Sequence, residues 1–229
     1  MKNYNIAIDG PAGAGKSTIA KKIAEQLKFI YVDTGAMYRA MGLFVISKEI
    51  AATDERSIAA ACNEVTISLN YQEGVQQVLL NGDNVTGLIR SEEAGMMASA
   101  VAKINEVRKK MVQLQKKIAS SSNVIMDGRD IGTVVLPKAD LKIYLTAGSK
   151  ERALRRFKEL QEKGIDCNMN DIEQDIINRD NQDMQREISP LKKAEDAVLL
   201  DTSNLTVDEV VKEILSLFKA KIGDFDSAY

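Results

Sequence analysis

An apolar run, Tyr4 to Asp9 (YNIAID), leads directly into GPAGAGKST, Gly10 to Thr18, and then into an amphipathic stretch from Lys16 to Leu27. No other feature restricts the fold as strongly. Ile19, Ile23 and Leu27 recur every four residues, so the third segment reads as a helix with one apolar face. A strand that turns through glycines into a helix is the opening unit of a parallel α/β sheet. Gly10, Gly15, Lys16 and Ser17 also satisfy the spacing G-x-x-x-x-G-K-[ST]. Glycines let backbone N–H groups turn inward and approach phosphate oxygens. Gly10, Pro11, Ala12, Gly13, Ala14, Gly15, Lys16, Ser17 and Thr18 are therefore the expected cradle of a nucleoside triphosphate. Lys16 would reach the β- and γ-phosphates, the Ser17 hydroxyl would ligate Mg²⁺ directly, and the helix N-terminus would add its favourable field.

The rest of the chain keeps the rhythm. Phe29–Asp33, Asn123–Gly128, Leu141–Ala147 and Ala197–Thr202 are short apolar strand candidates. Helical stretches are expected over 93–120, 150–163, 171–185 and 207–220. The segment 64–90 breaks the pattern. Val65, Ile67 and Leu69 alternate with polar residues, and Asn81-Gly82 is a hairpin signal, so a small antiparallel sheet is inserted into the α/β core. The expected architecture is one 229-residue kinase-like domain with a three-layer phosphate-loop fold. The insert and the helices after it are expected to be lobes of that one domain, since no Pro- or Ser-rich linker divides the chain.

Composition removes several chemistries. The chain has no histidine, which excludes a Ser-His-Asp triad and a histidine general base. The formal net charge of −2 argues against a nucleic-acid polymer as partner. The two cysteines, Cys62 and Cys167, are far apart, as expected for free thiols in a reducing cytoplasm. No eighteen-residue apolar run suggests a membrane span, and no signal peptide is expected. No NKxD tetrapeptide occurs, which disfavours a switch GTPase and leaves small-molecule kinases ahead.

Three clusters lie at expected strand ends or on later helices. Thr34, Gly35, Tyr38 and Arg39 (in VDTGAMYRA) follow the second strand, at the sheet edge where open α/β folds bind ligands. Asp127, Gly128, Arg129 and Asp130 (in MDGRDIGT) follow the next, and Asp127 would meet Mg²⁺ through water. The third is ERALRR with NRDNQDMQR, which holds Arg152, Arg155, Arg156, Arg179, Asp183 and Arg186. Lysines number 21 and arginines 10, and eight of the arginines fall in these stretches or in NEVRKK. Arginine is thus concentrated where a planar fork would hold phosphate.

Together GPAGAGKST, DTGAMYRA, the β-rich insert, VRKKMVQLQ, DGRDIGTVV and RDNQDMQR resemble the bacterial cytidylate kinases, CMP/dCMP kinases of the nucleoside monophosphate kinase family, across essentially the whole chain. The resemblance implies phosphoryl transfer from ATP to CMP or dCMP by a cytoplasmic enzyme, taken here as a monomer, with three parts: a core of 1–33, 121–148 and 191–229, a monophosphate-binding lobe with the β insert over 34–120, and a helical lid over 149–190. It implies that Ser99, Arg108 and Asp130 contact the cytosine and that Thr34 lies near the base. It places Arg39 and Arg129 on the monophosphate, Arg179 and Asp183 at its sugar and phosphate, and Arg186 beside them. Gly35, Tyr38 and Gly128 complete the CMP pocket. Lys16, Arg129, Arg179 and Arg186 are the expected catalytic set. Gln182 stands where the resemblance leads one to expect a basic residue. Lid contacts to ATP are accordingly expected from Arg152, Arg156 or Arg155. UMP, AMP or shikimate as acceptor, or a nucleotide-dependent switch, are the alternatives.

Overall fold

A computed structural model describes residues 2–72 and 75–223. In chain order its elements are β1 (Asn5–Asp9), α1 (Lys16–Leu27), β2 (Ile30–Asp33), α2 (Thr34–Ser47), α3 (Glu55–Ala61), β3 (Ile67–Gln72), β4 (Val75–Leu80), β5 (Asp83–Asn84), α4 (Glu92–Val101), α5 (Asn105–Ser121), β6 (Val124–Gly128), β7 (Leu141–Thr146), α6 (Ser149–Glu162), α7 (Met169–Met184), β8 (Val198–Asp201) and α8 (Val207–Ile222). Contacts divide them into two compact units, Met1–Phe29 with Asn123–Tyr229, and Ile30–Ser122. The portion of the expected core that falls on 224–229 lies outside the described residues.

In the first unit β6, β1, β7 and β8 lie side by side and all run parallel. Ile6, Ala7 and Ile8 are wholly buried, as are Val124, Ile125, Met126 and Leu141. Burial on both faces is why these strands read as continuous apolar runs. Helix α1 buries Ile19, Ala20, Ile23 and Ala24. It ends at Lys28, whose left-handed backbone (φ 58°) returns its N–H to the Ala24 carbonyl. Helix α8 opens with a capping box between Thr206 and Glu209 and buries Val210, Val211, Ile214 and Phe218. The Phe218 ring meets Tyr4 and Phe29 edge-on, with centroids 6.2 and 5.7 Å away.

The second unit holds the antiparallel sheet β3-β4-β5. Leu80 pairs with Asp83, so Asn81 and Gly82 form a two-residue hairpin loop with φ of 51° and 97°. Two bonds tie this sheet to β2. Tyr71 Oη donates to the Tyr31 carbonyl at 3.0 Å, and the Asp33 N–H donates to Gln76 Oε1 at 2.9 Å. Two expectations need correction. The helix expected over 93–120 is two helices, α4 and α5, separated by a tight turn in which Lys103 and Ile104 donate to the carbonyls of Ala100 and Val101. DTGAMYRA does follow the end of β2, but it also opens a fourteen-residue helix absent from the expected set, capped by Asp33, whose carboxylate accepts from the Ala36 N–H at 3.0 Å.

Candidate functional site

The loop between β1 and α1 is shaped by close packing. A Cβ on Gly10 would lie 1.9 Å from the Leu145 carbonyl oxygen, so only glycine fits there. Gly13 and Gly15 are left-handed (φ 73° and 83°), which curls the loop backbone ahead of α1. Lys16 is 6% exposed, and its Nζ donates to the Pro11 carbonyl at 2.7 Å, across the loop's own mouth. Burial lowers its pKa to about 7. The nearby Arg129 and Arg179 charges act in the same direction, while Asp127 and Asp9 oppose it. The Ser17 hydroxyl donates to Asp127 Oδ2 at 2.9 Å.

Asp9, the last residue of β1, is buried and accepts from the N–H groups of Ile131 and Gly132 at 2.8 and 2.7 Å. It thereby anchors a single widened helical turn, Ile131–Val135, directly after Arg129 and Asp130. Burial raises the Asp9 pKa to about 6, with the two amide bonds working against that rise. Arg129 Nε donates to Asp183 Oδ2 at 2.7 Å, and Arg186 pairs with the other oxygen of the same carboxylate. Burial opposes ionisation of Asp183, but Arg129 and Arg186 outweigh it and hold the carboxyl below its ordinary range. Lys16, Ser17, Asp127, Arg129, Arg179, Asp183 and Arg186 are thus brought together in this unit.

The three α6 arginines differ. Arg155 borders a cavity of about 550 Å³, lined also by Gly13 to Ile19 of the loop and the first turn of α1 and by Thr202, Thr206 and Val207. Its Nη2 donates to the Thr202 carbonyl at 2.8 Å. Arg156 lies on the surface and pairs with Glu159 at 3.2 Å. Arg152 does not line the cavity. It is 5% exposed and directs its guanidinium inward, to the carbonyls of Ala147 and Ala12 at 2.9 and 2.8 Å and to Asp180 at 2.7 Å.

In the second unit Thr34 is buried in the first turn of α2, next to Gly35. Arg39 Nη1 donates to the carbonyls of Ile89 and Ser91, both at 3.2 Å, and lies over Gly95, where a Cβ would come within 2.9 Å of it. Arg108 is 3% exposed, donates to the Ala102 carbonyl at 3.1 Å and sits over the Tyr38 ring, 5.7 Å from its centroid. The Ser99 hydroxyl donates to the Gly95 carbonyl at 3.4 Å. Helices α2, α4 and α5 therefore group Tyr38, Arg39, Ser99 and Arg108. Sequence reasoning missed Asp9 and Asp180. Asp9 had a signal, as a charged residue ending a strand that is otherwise buried. Asp180 had none, since its partner Ala12 is 168 residues away.

Comparison with known proteins adds to this geometry. The family model described as "Cytidylate kinase" matches residues 6–220. The chain is 50% identical over 224 residues to a cytidylate kinase of Caldicellulosiruptor saccharolyticus, covering 98% of this chain and 99% of that one. It is 52% identical over 219 residues to a cytidylate kinase of Alkaliphilus oremlandii, covering 96% and 99%. Among solved structures, an uncharacterized protein from Eubacterium ventriosum shares the fold with a TM-score of 0.52 at 13% identity, covering 96% of this chain and 99% of that one.

Proposed function

Because the chain belongs to the cytidylate kinase family, we propose that it transfers the γ-phosphoryl group of ATP to CMP or dCMP, giving ADP and CDP or dCDP. One observation carries the reading at the site. Lys16 is buried at the mouth of the glycine loop, and beyond that burial the charges of Arg129 and Arg179 lie close enough to depress its proton affinity further. Such a cluster of cations at a glycine loop is relieved when a polyanion enters it. The triphosphate of ATP is that polyanion, and the cavity bordered by Arg155 and Thr202 takes its nucleoside.

The acceptor phosphate has its second pKa near 6, so at pH 7 it is largely dianionic and attacks without a general base. A chain without histidine can therefore run this reaction. Catalysis is positioning and charge neutralisation. Loop amides and Lys16 hold the transferring group, while Arg129, Arg179 and Arg186 balance charge on the donor and acceptor phosphates. Ser17 and Asp127 are adjacent hard oxygen donors, and among the described residues no cluster of three or more acidic or thiol ligands could cage a metal. That donor set fits Mg²⁺, which takes one or two protein oxygens beside water and phosphate. Mg²⁺ held by Ser17, with Asp127 behind it, would supply charge neutralisation on the triphosphate.

Cytosine presents an exocyclic amine donor and ring acceptors. We assign Asp130 to the amine, Arg108 and Ser99 to the acceptors, Thr34 to the neighbourhood of the base, and Arg39 to the monophosphate. Gly35, Tyr38, Gly128 and Asp183 are assigned to CMP as well. Residues 149–190 serve as the lid that excludes water during transfer. No helix among the described residues is long and apolar enough to cross a membrane. A cytoplasmic monomer is the working assignment.

A coupled ADP-release assay with ATP, Mg²⁺ and each of CMP, dCMP, UMP, AMP and shikimate tests this. Turnover confined to CMP and dCMP is expected. Preference for another acceptor overturns the base assignment, and no turnover with any acceptor overturns the kinase reading.

A further inference from the structure

Arg152 and Asp180 form a buried ion pair that the transfer chemistry described above does not use. They come from α6 and α7, and both act on one loop residue. Arg152 Nη1 donates to the Ala12 carbonyl at 2.8 Å, and Asp180 Oδ1 accepts from the Ala12 N–H at 3.3 Å. The two side chains meet at 2.7 Å, with Arg152 5% and Asp180 6% exposed. Arg152 is fixed further by the Ala147 carbonyl, and its Cβ lies 3.4 Å from where a Cβ on Gly13 would stand. The peptide groups on both sides of Ala12 are thus gripped by one charged pair.

We propose that Arg152 and Asp180 are positioning residues for the phosphate-binding loop, setting the orientation of its amides through the two peptide groups that flank Ala12. A loop of glycine and alanine has little side-chain packing of its own to define its backbone. A charge-assisted bond on each side of one residue fixes two successive peptide planes. The amides that follow, at Gly13 to Lys16, inherit that orientation. Because the clamp joins α7 to α6, the helix that carries Arg155 at the cavity, a shift of α6 against α7 would also turn the loop. Arg152 therefore acts on ATP through the loop rather than by touching it, in place of the direct contact expected from the sequence.

The proposal rests on the loop's being the ATP site, so titration of the wild-type enzyme with MgATP, followed by calorimetry, comes first. No binding there would overturn the site reading itself. The sign of the Asp180 effect decides the clamp. Removing a carboxylate near a polyanion site should tighten binding if only charge matters. The clamp requires the opposite, with MgATP affinity falling about tenfold in Asp180→Ala and in Arg152→Ala. Because the two act as one unit, the double variant should bind no worse than the weaker single one. Unchanged or tighter binding by Asp180→Ala overturns the proposal, as does a double variant in which the losses simply multiply. Should Asp180→Ala fail to fold, Asp180→Asn decides. It keeps the shape and an acceptor for the Ala12 N–H but lacks the charge that holds Arg152, and unchanged MgATP affinity there is equally fatal. A purely structural pair would lower the melting temperature and leave the affinity of the folded enzyme as it was.

Discussion

The two units hold their buried and half-buried charges differently. In the unit containing the glycine loop, charged groups meet each other and the backbone in a connected set, with Asp183 between Arg129 and Arg186, Arg152 on Asp180, and Asp9 on two amides. In the 30–122 unit, guanidinium and ammonium groups rest on carbonyl oxygens. Arg39 binds Ile89 and Ser91, Arg108 binds Ala102, and Lys110 binds Cys62 and Val65. A neutral carbonyl orients a cation without cancelling its charge, whereas a carboxylate does both. The first arrangement suits a triphosphate whose geometry must be fixed before transfer. The second fixes the direction in which each cation points.

The sharpest attempt to break this contrast is Lys16→Ala. Loss of the loop cation should lower kcat by roughly a thousandfold while leaving KM for CMP within a few-fold, because its charge is needed mainly as phosphate charge develops. A thermal melt should show the fold intact, and an active, folded variant would sink the mechanism. Next is Arg39→Ala, expected to raise KM for CMP by about tenfold to a hundredfold with calorimetric MgATP affinity unchanged. If MgATP weakens as well, the two units do not divide the labour as stated.

A smaller effect tests the loop cation's environment. With its pKa lowered to about 7, Lys16 is only partly protonated at neutral pH, and bound phosphates would restore the proton. MgATP binding should then take up about half a proton at pH 7, approaching one at pH 8, read from binding enthalpies in buffers of different ionisation enthalpy. Lys16→Ala should abolish that dependence. In stability the depressed lysine is a cost below pH 7, relieved as pH rises toward its unfolded value of 10.5.

The smallest expected signal comes from Asp9. Its pKa is raised from 3.8 to about 6, so its contribution to stability is fully present below about pH 4 and is lost as pH rises through 6. Asp9→Asn should lack that pH-dependent contribution. Chemical denaturation of both proteins from pH 4 to 7 should therefore show the wild type gaining relative to the variant on the acid side. Parallel curves would mean that the Asp9 carboxyl titrates normally.

Much of this was legible in the sequence because it is local. The start and end of α1 follow from Gly15, Lys16 and Leu27, and the hairpin follows from Asn81-Gly82. The split between α4 and α5 was hidden because Ala102, Lys103 and Ile104 include neither glycine nor proline, so nothing in them announces a turn. Helix α2 was missed because it buries residues on most of its circumference, from Ala36 and Met37 to Phe44 and Val45, and so shows no clean polar face. The inward turn of Arg152 depends on Ala12 and Asp180, contacts that no local pattern encodes.

The order of strands has a consequence for synthesis. Strand β1 pairs with β6 and β7, whose residues leave the ribosome about 120 and 135 positions later. At elongation rates of about 5–20 residues per second, the glycine loop waits on the order of ten seconds for the strands beside it. The 30–122 segment is complete well before then. A chain ending at residue 122 would therefore hold the whole 30–122 segment and a phosphate loop still without the strands that flank it.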